Sequence, residues 1–260
     1  LNPHQVDAAL FAFRNPLSNG VILADEVGLG KTIEAGLVIA QKWAERRRRI
    51  LIIVPANLRK QWHQELQEKF GVDATILDGD SYKKAKKGGQ KNPFDIEEGV
   101  VICSYQFAKA KADDIQMIPQ WDLAVIDEAH RLRNVYKKGN KIAKAIAEAI
   151  GNTYKVMLTA TPLQNSLLEL FGMVSIIDEK IFGDLDSFRI KYGRINDSTS
   201  FSELRQRIQP VCKRTLRKNV EAYVKYTKRI PMVEEFTPSP NEQLLYQLVS
   251  NYLRRPNLNA

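Results

Sequence analysis

The sequence contains few cysteines and no long apolar segment, and each absence excludes a class of protein. Its two cysteines, Cys103 and Cys212, are far apart and form no CxxC motif, so we expect neither a disulfide framework nor a zinc site. No apolar run approaches the roughly 18 residues that a membrane-spanning helix needs. Hydrophobic residues make up 44% of the 260 residues and charged residues 27%, as in ordinary globular proteins. We therefore expect a reduced, cytoplasmic protein with a buried core and no membrane contact.

Acidic residues are scarce in residues 205–230, so most of the net charge of +9 lies in that segment. Residues 205–230 contain nine Lys or Arg and one acid, Glu221, whereas residues 1–204 carry a net charge of only +2. This excess is dense enough to neutralise several phosphates, and it contains no base-reading motif. The charge favours a polyanionic partner contacted through its backbone, without identifying that partner.

Short apolar runs alternate with longer amphipathic segments in the first part of the chain. The runs are continuous, which is typical of strands buried on both faces of a parallel sheet. The predicted strands are 21–24, 50–54, 100–103, 123–126 and 156–158, and the predicted helices are 33–45, 57–70, 142–150 and 167–177. This alternation predicts an α/β fold with a mostly parallel central sheet flanked by helices.

Two segments depart from this alternation. Residues 78–98 are rich in Lys, Gly and Asp and predict a long surface loop. From Asp184 onward, helical and basic segments replace the strand–helix pattern. We therefore divide the chain into an α/β domain, residues 1–183, and a helical, basic C-terminal extension, residues 184–260. Because both ends look cut, we expect a fragment of a longer protein.

Residues 25–32, Asp-Glu-Val-Gly-Leu-Gly-Lys-Thr, lie between a predicted strand and a predicted helix, where phosphate-binding loops occur. Gly28 and Gly30 would let backbone N–H groups approach phosphate oxygens, and the helix N-terminus adds a positive dipole. Lys31 would reach the β- and γ-phosphates of ATP, and Thr32 would offer its hydroxyl to Mg²⁺. A simple glycine turn that ends in Lys-Thr is the alternative interpretation.

An acidic motif, Asp-Glu-Ala-His at residues 127–130, follows the predicted strand 123–126. A carboxylate at the tip of a buried strand is the expected Mg²⁺ partner of Thr32, and Asp127 takes that role. Glu128 is then placed to polarise the attacking water. An acidic pair at a strand end can also be merely solvated, but the nearby phosphate loop favours a catalytic pair.

Together these motifs resemble the Swi/Snf-type branch of helicase superfamily two, a group of DNA translocases. Asp25-Glu26 replaces the first glycine of the general phosphate-loop pattern and resembles the variant of this branch. The further matching motifs are Pro3-His4-Gln5, residues 53–58 with Gln61-Trp62, Cys103-Ser104-Tyr105, residues 127–134 and residues 158–165. The resemblance covers the chain from about Leu1 to Leu245 and implies a RecA-like, phosphate-loop domain. It is nearest to the bacterial RNA-polymerase-associated members.

The resemblance also implies individual roles. Gln5 would recognise adenine, and the nucleotide would be bound by Asp25, Glu26, Val27, Gly28, Leu29, Gly30, Lys31 and Thr32. Coupling between the nucleotide and nucleic-acid sites would fall to His130, Thr159, Ala160 and Thr161. Candidate nucleic-acid contacts are Arg59, Ser104, Tyr105 and Asn165, with ordinary surface hydrogen bonding as the alternative for the first three. The implied ligands are ATP, Mg²⁺ and double-stranded DNA. RNA polymerase or another protein complex is a candidate partner, and the bacterial or archaeal nucleoid is the expected location.

The ATPase core of this family has two RecA-like lobes, and the second supplies arginine fingers that stabilise the transferring phosphoryl group. We expect this chain to supply only the N-terminal lobe and, alone, to bind ATP–Mg²⁺ weakly and hydrolyse it slowly. Two alternatives to a duplex-DNA translocase stay open. The branch-specific residues 25–26, 131–134 and 163–165 argue against a strand-separating DNA or RNA helicase. The complete set of catalytic residues argues against a nucleotide-dependent protein-interaction module without activity.

Overall fold

Continuous runs of Val, Ile and Leu form the central strands, as expected for strands covered on both faces. The computed structural model describes residues 1–14, 18–164, 166–193, 198–224 and 232–254. Its strands are β1 (Gly20–Leu23), β2 (Arg49–Val54), β3 (Ala74–Ile76), β4 (Gly99–Ser104), β5 (Leu123–Ile126), β6 (Lys155–Leu158) and β7 (Cys212–Lys213). They form one sheet in the order β3-β4-β2-β5-β6-β1-β7, and all six pairings are parallel.

Helices cover both faces of this sheet. Within the described residues they are α1 (Pro3–Arg14), α2 (Lys31–Ala44), α3 (Arg59–Phe70), α4 (Gly79–Lys87), α5 (Tyr105–Ala110), α6 (Ala112–Gln116), α7 (Lys141–Ile150), α8 (Leu167–Ile177), α9 (Leu185–Tyr192), α10 (Ser198–Ile208) and α11 (Pro240–Leu253). Short 3₁₀ helices lie at Ala56–Leu58, Ala129–Leu132 and Arg217–Asn219.

Alternate residues of each strand enter different hydrophobic clusters. In β1, Ile22 belongs to one buried cluster, and Val21 and Leu23 belong to the other. Successive side chains of a strand point to opposite faces, so the two clusters are the two sides of the sheet. The predicted α/β fold with a parallel, doubly covered sheet is confirmed, and the four predicted helices are present as α2, α3, α7 and α8.

The prediction of a surface loop at residues 78–98 is wrong in its first half, which forms α4. Asp78 caps this helix, because its side chain accepts hydrogen bonds from the N–H groups of Asp80 and Ser81. The Ser81 hydroxyl in turn accepts from the backbone N–H of Asp78, which completes a capping box. The many lysines of α4 concealed it, because only Tyr82 is buried on this helix.

The sheet also extends beyond the point where the strand–helix pattern ends. Strand β7 has only two residues, Cys212 and Lys213, and it pairs in parallel with β1. A strand this short within a basic segment has no apolar run to reveal it. The helical extension that we predicted is otherwise represented by α9, α10 and α11.

The chain divides into two compact units, Leu1–Val224 and Lys225–Ala260. The first unit contains the whole sheet and continues past residue 183. The predicted boundary between an α/β domain, residues 1–183, and a C-terminal extension, residues 184–260, stays a prediction. In the second, α11 begins with a capping box formed by Ser239 and Glu242. Among the helices that the structure describes, none has the length and apolarity needed to cross a membrane.

Candidate active site

The candidate site lies at the carboxyl edge of the sheet, where three neighbouring strands end. β1 leads into the phosphate loop at residues 25–30, β5 into the acidic motif at residues 127–130, and β6 into Thr159. β5, β6 and β1 are adjacent and parallel, so the three turns lie side by side. This edge is where open α/β sheets bind their ligands.

The phosphate loop has the backbone conformation that its glycines allow. Gly28 and Gly30 have φ angles of 83° and 89°, in the left-handed region that favours glycine. Lys31 begins α2, and its Nζ donates to the carbonyl oxygens of Asp25, at 2.9 Å, and Glu26, at 3.4 Å. Both of these partners are neutral, so the positive charge of the ammonium is available to an anionic ligand.

Helix α1 holds the phosphate loop at Leu29. The carbonyl oxygen of Leu29 lies 2.9 Å from His4 Nε2 and accepts a 3.0 Å hydrogen bond from Gln5 Nε2. A Cβ at Gly30 would lie 2.4 Å from that amide nitrogen, so the Gln5 amide could not keep this position beside a larger residue. The other end of the Gln5 amide accepts from the N–H of Asn2. Adenine recognition by Gln5 stays a prediction.

Two buried carboxyl groups lie at the base of the phosphate loop. Asp25 and Glu34 are both fully buried. Burial, and secondly the charge of Asp25, raise the pKa of Glu34 to about 9. Glu34 is therefore a neutral acid at neutral pH, and neither of its carboxyl oxygens has a hydrogen-bond partner among the described residues. Oδ1 of Asp25 also accepts a 2.7 Å hydrogen bond from the backbone N–H of Thr215, which anchors a distant segment to the loop.

Asp127 is held by three groups at the tip of β5. Its Oδ2 accepts a 2.9 Å hydrogen bond from the indole nitrogen of Trp62, and its Oδ1 accepts one from the N–H of Glu128. The hydroxyl of buried Tyr105 donates to its carbonyl oxygen at 2.6 Å. Burial raises the pKa of Asp127, and the hydrogen bonds from Trp62 and Glu128 oppose that rise.

Glu128 has a φ of 53°, one of two non-glycine residues with a left-handed backbone among the described residues. Such a conformation costs of the order of 1 kcal/mol and is common at active sites. Oε2 of Glu128 lies 3.0 Å from Nδ1 of His130, although the angles are not those of a hydrogen bond. The side chain assigned to the attacking water is therefore next to the predicted coupling histidine.

The third motif joins the end of β6 to the end of β1. The N–H of Thr159, a fully buried residue, donates to the carbonyl oxygen of Leu23 at 3.1 Å. Its hydroxyl accepts a 3.1 Å hydrogen bond from the N–H of Thr161, closing a turn around Ala160. The coupling role predicted for these residues stays a prediction. Asn165, the predicted nucleic-acid contact of this motif, lies outside the described residues.

Arg133 connects the acidic motif to the third motif. Its Nη1 donates to Oε1 of Gln164 at 2.8 Å, and its Nε lies 3.5 Å from Oε1 of buried Glu169. Glu169 also accepts a hydrogen bond from the N–H of Gln164. Two turns that follow different strands are thus tied together through charged side chains.

Most of the predicted nucleotide-binding residues and all three predicted catalytic residues line one cavity of about 430 Å³, whereas Gln5, Asp25, Glu26 and Leu29 do not line it. Its walls include Gly28, Lys31, Thr32, Asp127 and Glu128. A larger cavity of about 670 Å³ lies beside α7 and α8 and contains none of the predicted site residues. The donor set of one hydroxyl and one carboxylate suits Mg²⁺, which prefers oxygen ligands and keeps several waters or phosphate oxygens.

A family model described as the SNF2-related domain matches residues 4–258. The chain belongs to this SNF2-related family. It is similar to the RNA polymerase-associated protein RapA of Erwinia tasmaniensis, with 36% identity over 194 residues. It is also similar to the uncharacterized ATP-dependent helicase YqhH of Bacillus subtilis, with 33% identity over 254 residues. The two alignments cover 72% and 95% of this chain but only 20% and 42% of the relatives.

A solved structure supports the fold of this SNF2-related chain. The Sulfolobus solfataricus SWI2/SNF2 ATPase core in complex with dsDNA superimposes with a TM-score of 0.67 and 24% identity. The match covers 83% of this chain and 44% of the archaeal chain. The resemblance of the motifs to the Swi/Snf branch and the RecA-like fold are both confirmed.

Three of the predicted nucleic-acid residues of the SNF2-related chain, Arg59, Ser104 and Tyr105, have protein partners in this structure. Nη1 of Arg59 lies 3.4 Å from the Asp78 carboxylate, and the Ser104 side chain caps α5 by accepting from the N–H of Phe107. Tyr105 is only 2% exposed, so its side chain supports Asp127 rather than presenting a surface contact. DNA contact at these positions stays a prediction, and at Tyr105 it would involve the backbone.

Several residues that shape the site escaped sequence analysis. Trp62 belongs to a matching motif that assigned it no role, and its indole nitrogen donates to Asp127. The remaining ones are Arg133, Glu169, Thr215 and Arg217. No local motif assigns these contacts, although Thr215 and Arg217 lie in the basic segment, within residues 212–217, which resemble a segment that follows the third motif in the Swi/Snf branch.

Proposed function

We propose that the chain is the N-terminal ATPase lobe of an ATP-dependent translocase or remodeller that acts on double-stranded DNA. One observation carries the proposal. Lys31, Thr32, Asp127 and Glu128 come from two motifs almost a hundred residues apart, and all four line the same cavity. Membership of the SNF2-related family supports the same activity.

Two neighbouring cavities suit the two ends of ATP, its phosphates and its purine base. The glycines of the phosphate loop and Lys31 provide the groups that bind phosphates. A second cavity of about 400 Å³ shares Ile33 and Lys69 with the first. It is lined by Gln5 and by apolar side chains such as Leu37 and Phe70, which suit the faces of a purine.

Thr32 and Asp127 would hold Mg²⁺, which when bound neutralises charge on the β- and γ-phosphate oxygens. Trp62 keeps the Asp127 carboxylate in one orientation through its indole N–H. Glu128 accepts a proton from the attacking water, and its half-buried side chain reaches the same cavity. Nδ1 of His130 lies 3.0 Å from Oε2 of Glu128, so the imidazole is placed to sense a change in the charge of that carboxylate.

The proposed substrate and partner rest on charge and on the relatives. The basic residues 205–230 favour backbone-directed binding to DNA, and the archaeal neighbour is in complex with dsDNA. The name of the RapA relative makes RNA polymerase a candidate partner. A cytoplasmic, nucleoid-associated location stays a prediction.

The test uses a protein that carries this lobe together with a second lobe. Lys31→Ala should weaken ATP–Mg²⁺ binding, because it removes the cation of the phosphate site. Glu128→Gln should keep nucleotide binding but lower the DNA-stimulated hydrolysis rate by about 100-fold or more, because it removes the general base. Calorimetry measures binding, and phosphate release measures turnover.

The same assay separates the competing functions. Stronger stimulation by duplex DNA than by single-stranded DNA or RNA is expected for a duplex translocase. Stimulation mainly by single strands would support a strand-separating helicase. Persistent ATP-driven movement of the Glu128→Gln variant along DNA would reject the catalytic assignment.

A further inference from the structure

A segment far away in sequence runs beside the phosphate loop. Residues 211–217, here called the strap, follow α10 and include β7. Their carbonyl oxygens accept hydrogen bonds at every second position: Ile22 N–H donates to Val211, Ala24 N–H to Lys213 and Glu26 N–H to Thr215. This parallel ladder therefore continues beyond the end of β1 and into the phosphate loop.

The strap also binds the loop through side chains. Asp25 accepts a 2.7 Å hydrogen bond from the N–H of Thr215, and Glu26 accepts one of the same length from the N–H of Arg217. Arg217 Nε and Nη2 both donate to the carbonyl oxygen of Val27, at 3.0 Å and 2.6 Å. Three successive loop residues are thus held by two residues of the strap. The two acids are also the feature that distinguishes this loop from the general pattern.

These contacts constrain the groups that a phosphate would meet. In a trans peptide unit the C=O and the following N–H point in opposite directions. Arg217 holds the carbonyl of Val27, so the N–H of Gly28 is directed away from the strap. The contacts from α1 to Leu29 constrain the N–H of Gly30 in the same way. Backbone N–H groups of this kind bind phosphate oxygens in phosphate loops.

We propose that the strap is a positioning element for nucleotide binding and that Arg217 is its principal positioning residue. It keeps the peptide units of the phosphate loop in the orientation that receives the phosphates of a nucleoside triphosphate. This inference rests on the proposed function, because it concerns the same nucleotide site. It adds a role for a segment that the phosphate-loop motif does not include.

The test compares Arg217→Gln with a matched control, Lys218→Gln, in the same protein that carries this lobe together with a second lobe. Both variants lose one positive charge from the same short helix, and the Lys218 side chain is exposed. Arg217→Gln should weaken Mg–ATP binding by about tenfold, the order expected for losing support one contact away from a ligand. Lys218→Gln should bind like the wild type. Arg217→Lys should recover little, because an ammonium cannot reproduce the paired Nε and Nη2 bonds to Val27.

A second measurement reports how firmly the backbone of the phosphate loop is held in the absence of nucleotide. Hydrogen exchange of the backbone N–H groups of residues 26–30 should be faster in Arg217→Gln than in Lys218→Gln. Glu26→Ala, which removes the acceptor for the Arg217 N–H, should have the same effect. The double variant Glu26→Ala/Arg217→Gln should lose less affinity than the product of the two single losses, since each substitution alone already loosens the attachment of residue 217 to the loop.

The outcomes separate this inference from the proposed function. If the wild type binds Mg–ATP, Lys31→Ala does not, and Arg217→Gln binds and exchanges like the wild type, then only this inference fails. It also fails if Lys218→Gln weakens binding as much as Arg217→Gln, because net charge would explain the loss. If the wild type binds no Mg–ATP, the proposed nucleotide site and this inference are both rejected.

Discussion

Trp62 belongs both to the hydrophobic core and to the candidate metal site. Its ring is 1% exposed, and its indole nitrogen holds Oδ2 of Asp127 at 2.9 Å. Trp62→Phe keeps most of the ring but removes the N–H, so it should raise the pKa of Asp127 and loosen its carboxylate. We expect the affinity for Mg²⁺ in the presence of ATP to fall about tenfold, as it does when other groups that orient a metal ligand are removed. Calorimetric titration of ATP at several Mg²⁺ concentrations measures it.

Trp43→Phe is the matched control for this substitution. Trp43 lies in α2, where its ring packs against the guanidinium of Arg48, away from the carboxylates. It should therefore leave the Mg²⁺ dependence unchanged. An unchanged dependence in Trp62→Phe as well would show that the indole hydrogen bond does not orient the metal ligand.

Residues of the site differ in how far sequence alone could reveal them. Lys31 and Glu128 lie in short local motifs, where identity and spacing carry the chemistry, and both line the cavity where we expected them. The contact of Trp62 with Asp127 spans 65 residues, and that of Arg217 with Val27 spans 190. No local pattern encodes contacts over such distances, because they depend on which strands become neighbours.

At the scale of elements, the length of the apolar run in each strand or helix decided whether that element could be predicted. Strands β2, β4 and β5 have long buried runs, and they were found within a residue or so of their bounds. α4 was missed because lysines dominate it, although Asp78 and Ser81 carried a capping signal. β3 and β7 were missed because strands of three and two residues have too few side chains to form a pattern.

The packing of α8 against the acidic-motif turn depends on one glycine. A Cβ at Gly172 would lie 1.9 Å from the carbonyl oxygen of Arg133, and backbone cannot move away cheaply. Gly172→Ala should therefore lower the free energy of unfolding by about 1–3 kcal/mol, despite the better helix propensity of Ala. It should also disturb the Arg133–Gln164 link. Urea denaturation measures the stability change.

Gly79 provides the control on another helix. It lies in the first turn of α4, and a Cβ there would meet no atom within 4 Å. Gly79→Ala should be neutral or slightly stabilising. Equal effects of the two substitutions would mean that α8 can shift away from Arg133 without cost.

For the whole molecule, the order of the strands explains why one edge carries the chemistry. A parallel sheet was predictable from the buried runs, but the adjacency of β5, β6 and β1 was not. That adjacency brings the phosphate loop, the acidic motif and the third motif together. The same order makes β6 a central strand, and its first residue, Lys155, is only 1% exposed.

Lys155 should make the global stability depend on pH. Its Nζ donates to the carbonyl oxygens of Gly151 and Thr153, and burial lowers its pKa from 10.5 to about 8. Below pH 8 the lysine is protonated in both the folded and the unfolded states, so its contribution is constant. Between about pH 8 and 10.5 only the unfolded state keeps the proton, so the free energy of unfolding rises with pH.

Comparison with Lys155→Met isolates this effect, because other titrating groups cancel in the difference. The stability of the wild type relative to Lys155→Met should increase by up to about 3 kcal/mol from pH 7.5 to 10.5. Urea denaturation across this pH range measures the difference, and Lys87→Met, at an exposed lysine of α4, should show none. A wild-type advantage that stays constant with pH would mean that the Lys155 ammonium keeps its proton despite burial, held by the two carbonyl oxygens at the end of α7.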